Sequence, residues 1–187
     1  MDVIDLLDEG FGWTAKRVAG VRAEHLESAT PCAKWDLRHL VNHTLGSLSV
    51  LTEAVSGEAS YGRSIAESAD LDRIGDDLTD AFDRVAASAM TRWRVPGALD
   101  GIYAIPLGPT PGQVVANINL LEVVVHGWDI ARSTGETEEI PAELADPVLR
   151  FAQQLITNET RGDAFAPSLA AGATPSEQLV AFLGRQP

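Results

Sequence analysis

Lysine is almost missing from this sequence: Lys16 and Lys34 are the only two in a chain of 187 residues. With 14 basic side chains against 27 acidic ones, the formal net charge is −13. No basic cluster is present to release counterions from a phosphate backbone or to meet an anionic membrane surface, so neither nucleic acid nor membrane is an expected partner. The single cysteine, Cys32, can make no internal disulfide and no thiolate metal cluster alone. No stretch approaches the ~20 apolar residues of a membrane span. The acidic start from Met1 to Gly10 has no basic region before an apolar run, so it does not read as a signal peptide. The G-x-S-x-G elbow, P-loop, G-x-G-x-x-G and H-E-x-x-H motifs are all missing, as are internal repeats and low-complexity segments. A cytoplasmic protein is expected. With 45% hydrophobic residues the chain can bury one core of the size that ~100–200 residues support, so residues 1–187 are expected to form a single domain.

Breakers are sparse and the segments between them are long, which favours helices. From Val3 to about Leu26 the apolar positions Ile4, Leu7, Phe11, Val18 and Val21 recur at helical steps. A second helix is expected from an Asp36 N-cap to Val55, stopped at Ser56-Gly57. A third is expected from Ser64 to Thr91, with Ile65, Leu71, Ile74, Leu78, Phe82 and Val85 facing inward. The proline-rich stretch from Trp93 to Pro111 breaks this pattern, and its run from Gly101 to Ile105 suits a short strand or an extended crossing. Thr110-Pro111-Gly112-Gln113 reads as a capping box opening a fourth helix, which runs to Ser133 with Gly135 as its stop. Pro141 opens another helix to Ile156, and Thr174-Pro175-Ser176-Glu177 caps a last short one ending at Gly184. The expected architecture is all-α: a four-helix bundle with one long crossover and short C-terminal accessory helices.

The fourth helix carries the chemistry. At 100° per residue, with Glu122 as origin, Val115 falls at about +20°, Ile118 at about −40°, His126 at about +40° and Asp129 at about −20°. Glu122, His126 and Asp129 therefore share the stripe that must face the interior. An unpartnered carboxylate there costs several kcal/mol, so something compensates: a shifted pKa, an arginine from elsewhere, or a cation. Glu at i and His at i+4 lie on one face and can reach one divalent metal. The bland alternative is a structural network, Glu122 bonded to His126 and Asp129 paired with Arg132 one turn on. On the second helix His43 flanks the apolar stripe and His39 lies one step nearer solvent; His43 is the best-placed third ligand. His25 more simply complements a helix end. Cys32 reads as a small buried residue, the four tryptophans as core or pocket walls, and the acidic run from Asp70 to Asp80 as a solvated helix face.

Two blocks carry a resemblance. Thr30-Pro-Cys-Ala-Lys-Trp-Asp-Leu-Arg-His-Leu-Val-Asn-His43 and Leu121-Glu-Val-Val-Val-His-Gly-Trp-Asp-Ile-Ala-Arg-Ser-Thr-Gly135 resemble the signature blocks of the DinB-like superfamily. The branch is the one related to the N-terminal domain of mycothiol-dependent maleylpyruvate isomerase. The endings Ala164-Phe-Ala-Pro and Ala181-Phe-Leu-Gly-Arg-Gln-Pro187 resemble its small metal-binding members. The resemblance implies a DinB-like bundle over nearly the whole chain and a divalent metal, zinc or nickel, held by His43, Glu122 and His126.

The function expected from this is a metal-dependent S-transferase or isomerase using a low-molecular-weight thiol such as mycothiol as co-substrate. A small-molecule thiol and an electrophile would be its partners. Asp129 would assist by orienting a ligand or a bound water, and Trp128 and Arg132 would sit near substrate. A non-catalytic metal-binding module, acting as sensor or partner domain, is the alternative, and a bundle whose carboxylates are satisfied by arginines is a third. A bundle of this size suits a homodimer, although no outward apolar stripe demands one.

Overall fold

The computed structural model describes residues 1–57, 69–157, 159–161, 165–170 and 172–187. Its helices are α1 (Val3–Val18), α2 (Leu37–Ser56), α3 (Leu78–Trp93), α4 (Gly112–Ser133), α5 (Ala142–Leu155) and α6 (Pro175–Phe182). A hairpin of β1 (Ile102–Ile105) and β2 (Gly108–Pro111) links α3 to α4, with Ile102 opposite Pro111 and Ile105 opposite Gly108. The fold is all-α, as expected, the hairpin being its only sheet among the described residues.

Local chemistry explains most boundaries. The Asp36 carboxylate accepts from the His39 amide at the start of α2, and Gly57 ends that helix at φ 75°. Thr174 and Glu177 form the expected capping box around α6. Three expectations shift. α1 stops at Val18, and the chain to Leu26 continues as a 3-10 turn over Ala23–His25. α3 begins at Leu78 behind an Asp77 cap rather than at Ser64, which lies, like Ile65, outside the described residues. Gly75 sits at φ 61°, a left-handed conformation through which a right-handed helix does not run, so Ile74 is buried from a loop. The acidic run from Asp70 to Asp80 is thus mostly loop. The capping box expected at Thr110 does not form. Thr110 pairs with Tyr103 in the hairpin and donates its hydroxyl to the Gly108 carbonyl, leaving Pro111 to cap α4 without a side-chain bond.

The bundle is built around α4. α1 packs against α4 and α3, α2 packs against the same two helices, and α5 packs against α6 and, more lightly, against α4 and α1. Sixteen of the 22 residues of α4 are buried, so it is apolar nearly all round instead of striped. By length and composition alone α4 would pass for a membrane span, contrary to the expectation that no stretch approaches one; 83% of its most apolar window lies inside the protein, the mark of a core helix. Gly127 sets its rotation. A Cβ there would strike the Thr14 hydroxyl and the Trp13 ring, and Thr14 donates a 2.8 Å bond to the Val123 carbonyl. With that face locked against α1, Glu122 and His126 are turned toward α2.

Candidate metal centre

α2 brings His43 to α4 because Leu37, Leu40, Val41, Leu45 and Leu48 bury its inner face and carry the histidine in with them. His43 and His126 are each 7% exposed. Their Nε2 atoms both lie 3.5 Å from the same oxygen, Glu122 Oε2. The imidazoles meet edge to face at 5.0 Å between ring centres, and Trp35 covers the outer face of His43 at 4.4 Å.

Glu122 Oε2 is buried with no hydrogen-bond partner among the described residues. Burial pushes Glu122 toward its neutral form, but the imidazoles of His126 and His43 outweigh it and hold the carboxyl well below the usual range. Burial likewise disfavours a charged His126, yet its hydrogen bond to Asp129 and the nearby Cys32 and Glu122 raise it well above the ordinary value. In the metal-free chain the raised His126 therefore balances the ionised Glu122.

Behind His126 lies a second cluster. Asp129, with no exposed surface, has Oδ2 3.0 Å from His126 Nδ1 and accepts from Cys32 Sγ at 3.3 Å. Arg185, from the C-terminal tail, donates Nε to Asp129 Oδ1 and Nη2 to Oδ2, both at 2.8 Å. Burial raises the Asp129 pKa, but the adjacent guanidinium more than reverses it, and the carboxylate stays ionised. The expected Asp129–Arg132 pair is not what neutralises it. Arg132 instead donates to the Glu136 carbonyl and covers the Trp128 ring, which is 1% exposed and sits in the core. Cys32 is half-buried at the edge of this cluster, while His39 pairs with Asp36 nearer the surface and His25 lies in the 3-10 turn.

Two sets of donor atoms therefore lie within 4.8 Å of one another: His43, Glu122 and His126, and Cys32, His126 and Asp129. The guanidinium already occupies both oxygens of Asp129, so the second set is neutralised by the protein itself. The first holds an orphaned carboxylate oxygen between two imidazole nitrogens. Two nitrogens and one carboxylate oxygen are a donor set that zinc and other divalent transition ions accept, so the residues fit the implied metal. Sequence reasoning missed Arg185 and the role of Cys32. The signal that pointed to Arg185 was the demand of a buried Asp129 for a cation.

The sequence pattern of the mycothiol maleylpyruvate isomerase N-terminal domain matches residues 8–131. This chain belongs to that family. The matched span contains Cys32, His43, Glu122, His126 and Asp129 and ends before Arg185. Two uncharacterised proteins of Mycobacterium tuberculosis, from strains CDC 1551 / Oshkosh and ATCC 25618 / H37Rv, are each 33% identical over 175 residues, covering 91% of both chains. Among solved structures, the mycothiol-dependent maleylpyruvate isomerase and a histidine-to-alanine mutant of it superpose with a TM-score of 0.64. Each is 19% identical, over 89% of this chain and 73% of the other, a likeness that shows the family fold.

Proposed function

We propose that residues 1–187 act as one metal-dependent unit that transfers or isomerises through a low-molecular-weight thiol of the mycothiol type. The observation that carries this reading is the convergence of His43 Nε2 and His126 Nε2 on the unbonded Oε2 of Glu122. The family match and the mycothiol dependence of the structural neighbour supply the thiol class. A divalent cation held by these three residues, zinc or nickel by the donor set, would keep a bound thiol deprotonated at neutral pH.

The chain's own residues do the rest. Asp129 accepts a hydrogen bond from His126 Nδ1, so that the neutral, metal-ligating form of His126 presents its Nε2 lone pair toward Glu122. It is shut away from any substrate, which makes it a positioning residue rather than a catalytic one. Trp35 fixes the ring of His43 from outside and keeps water from that face. Among the described residues the donor group stops at three, which suits a site that keeps a position for a substrate sulfur. The opposing observation is burial: the three side chains are 8%, 19% and 9% exposed, a narrow approach that would serve a non-catalytic metal-binding module equally well.

Metal analysis of the purified wild type beside a His43→Ala, Glu122→Ala, His126→Ala triple variant separates these readings. About one metal per chain in the wild type, lost in the variant, together with metal-dependent consumption of a thiol and an electrophile such as maleylpyruvate, supports the transferase or isomerase. Metal without reaction leaves the non-catalytic module. No metal after incubation with zinc or nickel refutes both.

A further inference from the structure

We infer that Arg185 is a positioning residue of the metal centre, which makes the C-terminal tail a working part of it. The inference rests on the ligand set proposed above and concerns the group that orients one of its members. Arg185 lies past the end of α6 and 56 residues from Asp129 in sequence, beyond the span that matches the family. Its seat is built. Gly184 turns the chain at φ 78° against the Ala166 backbone, where a Cβ would stand 2.5 Å from the carbonyl oxygen. The Arg185 amide then bonds to the Val180 carbonyl, and its side chain is 8% exposed.

From that seat the guanidinium grips Asp129 with two parallel bonds of 2.8 Å. A carboxylate held at one oxygen can still turn about its last torsion; one held at both by a planar fork cannot. Its plane is thereby fixed with Oδ2 toward His126 Nδ1 at 3.0 Å and Cys32 Sγ at 3.3 Å. A neutral imidazole that donates from Nδ1, the form that ligates a metal, carries its lone pair on Nε2, the atom that faces Glu122. Arg185 thus sets the tautomer and ring angle of His126 without touching it. It also cancels the charge of Asp129, which keeps the Cys32, His126 and Asp129 group from competing for the cation.

The test compares wild type with Arg185→Lys and Arg185→Met. Zinc affinity is read by competition with a chromophoric chelator, the His126 ring nitrogens by NMR of the zinc-loaded protein, and folding by melting of the metal-free protein. Loss of such an outer partner typically lowers metal affinity by about tenfold to a hundredfold. Arg185→Met should show that loss and a mixed His126 tautomer, and Arg185→Lys a smaller loss, because charge survives while the fork does not. A folded variant that binds zinc within about twofold of wild type with an unchanged ring spectrum overturns the inference, whatever its melting temperature, since a purely structural arginine would behave that way. If Arg185→Met does not fold, Arg185→Lys decides the question by the same two readings. Failure of the wild type to bind zinc refutes the ligand set itself, a result seen before any variant is compared.

Discussion

Removing one partner of the Asp129–Arg185 pair should destabilise the metal-free protein strongly, and removing both should cost much less than the two single losses added together. Asp129 has no exposed surface and the Arg185 side chain is 8% exposed, so neither charge can recover its hydration if the other leaves. At a charge separation of ~4 Å and an effective dielectric of about 20, the attraction is about 4 kcal/mol. Breaking a buried pair from one side costs about 3–5 kcal/mol, because the survivor stays buried and unpaired. Asp129→Asn and Arg185→Met should each lose that much, and the double variant should lose much less than the sum, with a coupling of about 2 kcal/mol or more. Equilibrium urea unfolding followed by circular dichroism, on chelator-treated protein at neutral pH, measures all four corners of the cycle. The pair should also resist added salt, unlike an exposed one. Single variants within about 1 kcal/mol of wild type, or strictly additive losses, would show that water reaches the pair and that the cluster is not a buried brace.

Two further outcomes follow from the same cluster. In the metal-free chain His126 is held protonated, so zinc binding should expel about one proton per chain at neutral pH, read from the buffer dependence of the binding heat, and affinity should rise with pH. The sign for stability is the reverse: the raised His126 contributes fully below its ordinary 6.5 and loses that contribution as pH climbs through its raised value, while Asp129, lowered from 3.8, contributes above that value and fails only in acid. The metal-free melting temperature should therefore fall on the alkaline side; a flat profile there contradicts a protonated His126. Gly127→Ala should cost about 1–3 kcal/mol in urea unfolding by wedging Thr14 and Trp13 away from α4, and should weaken zinc binding as Glu122 and His126 turn with the helix. Wild-type stability in that variant would mean that α1 does not set the rotation of α4.

What the sequence made legible was what repeats locally, and what it hid was what arrives from a distance. A period of 3.6 placed Glu122, His126 and Asp129 on one stripe of α4, and Asp36 and Gly57 marked α2 by cap chemistry that acts over a turn. Thr110 misled because strand pairing took the residue before it could cap a helix, and Gly75 was passed over because a left-handed glycine leaves no trace in apolar spacing. The stripe itself posed a question that helix geometry could not answer: three ionisable groups in the interior need compensation, by an arginine or by a cation. The structure answers it for one carboxylate. Asp129 receives Arg185 from the far end of the chain and is satisfied within the protein. Glu122, about two turns away on the same stripe and flanked by two imidazoles, receives no hydrogen bond to Oε2 from the described residues. Under the proposed ligand set, neutralising one carboxylate with a fixed guanidinium while leaving its neighbour open would direct a single cation to a single place. It would also tie a residue near the C-terminus to ligands on α2 and α4.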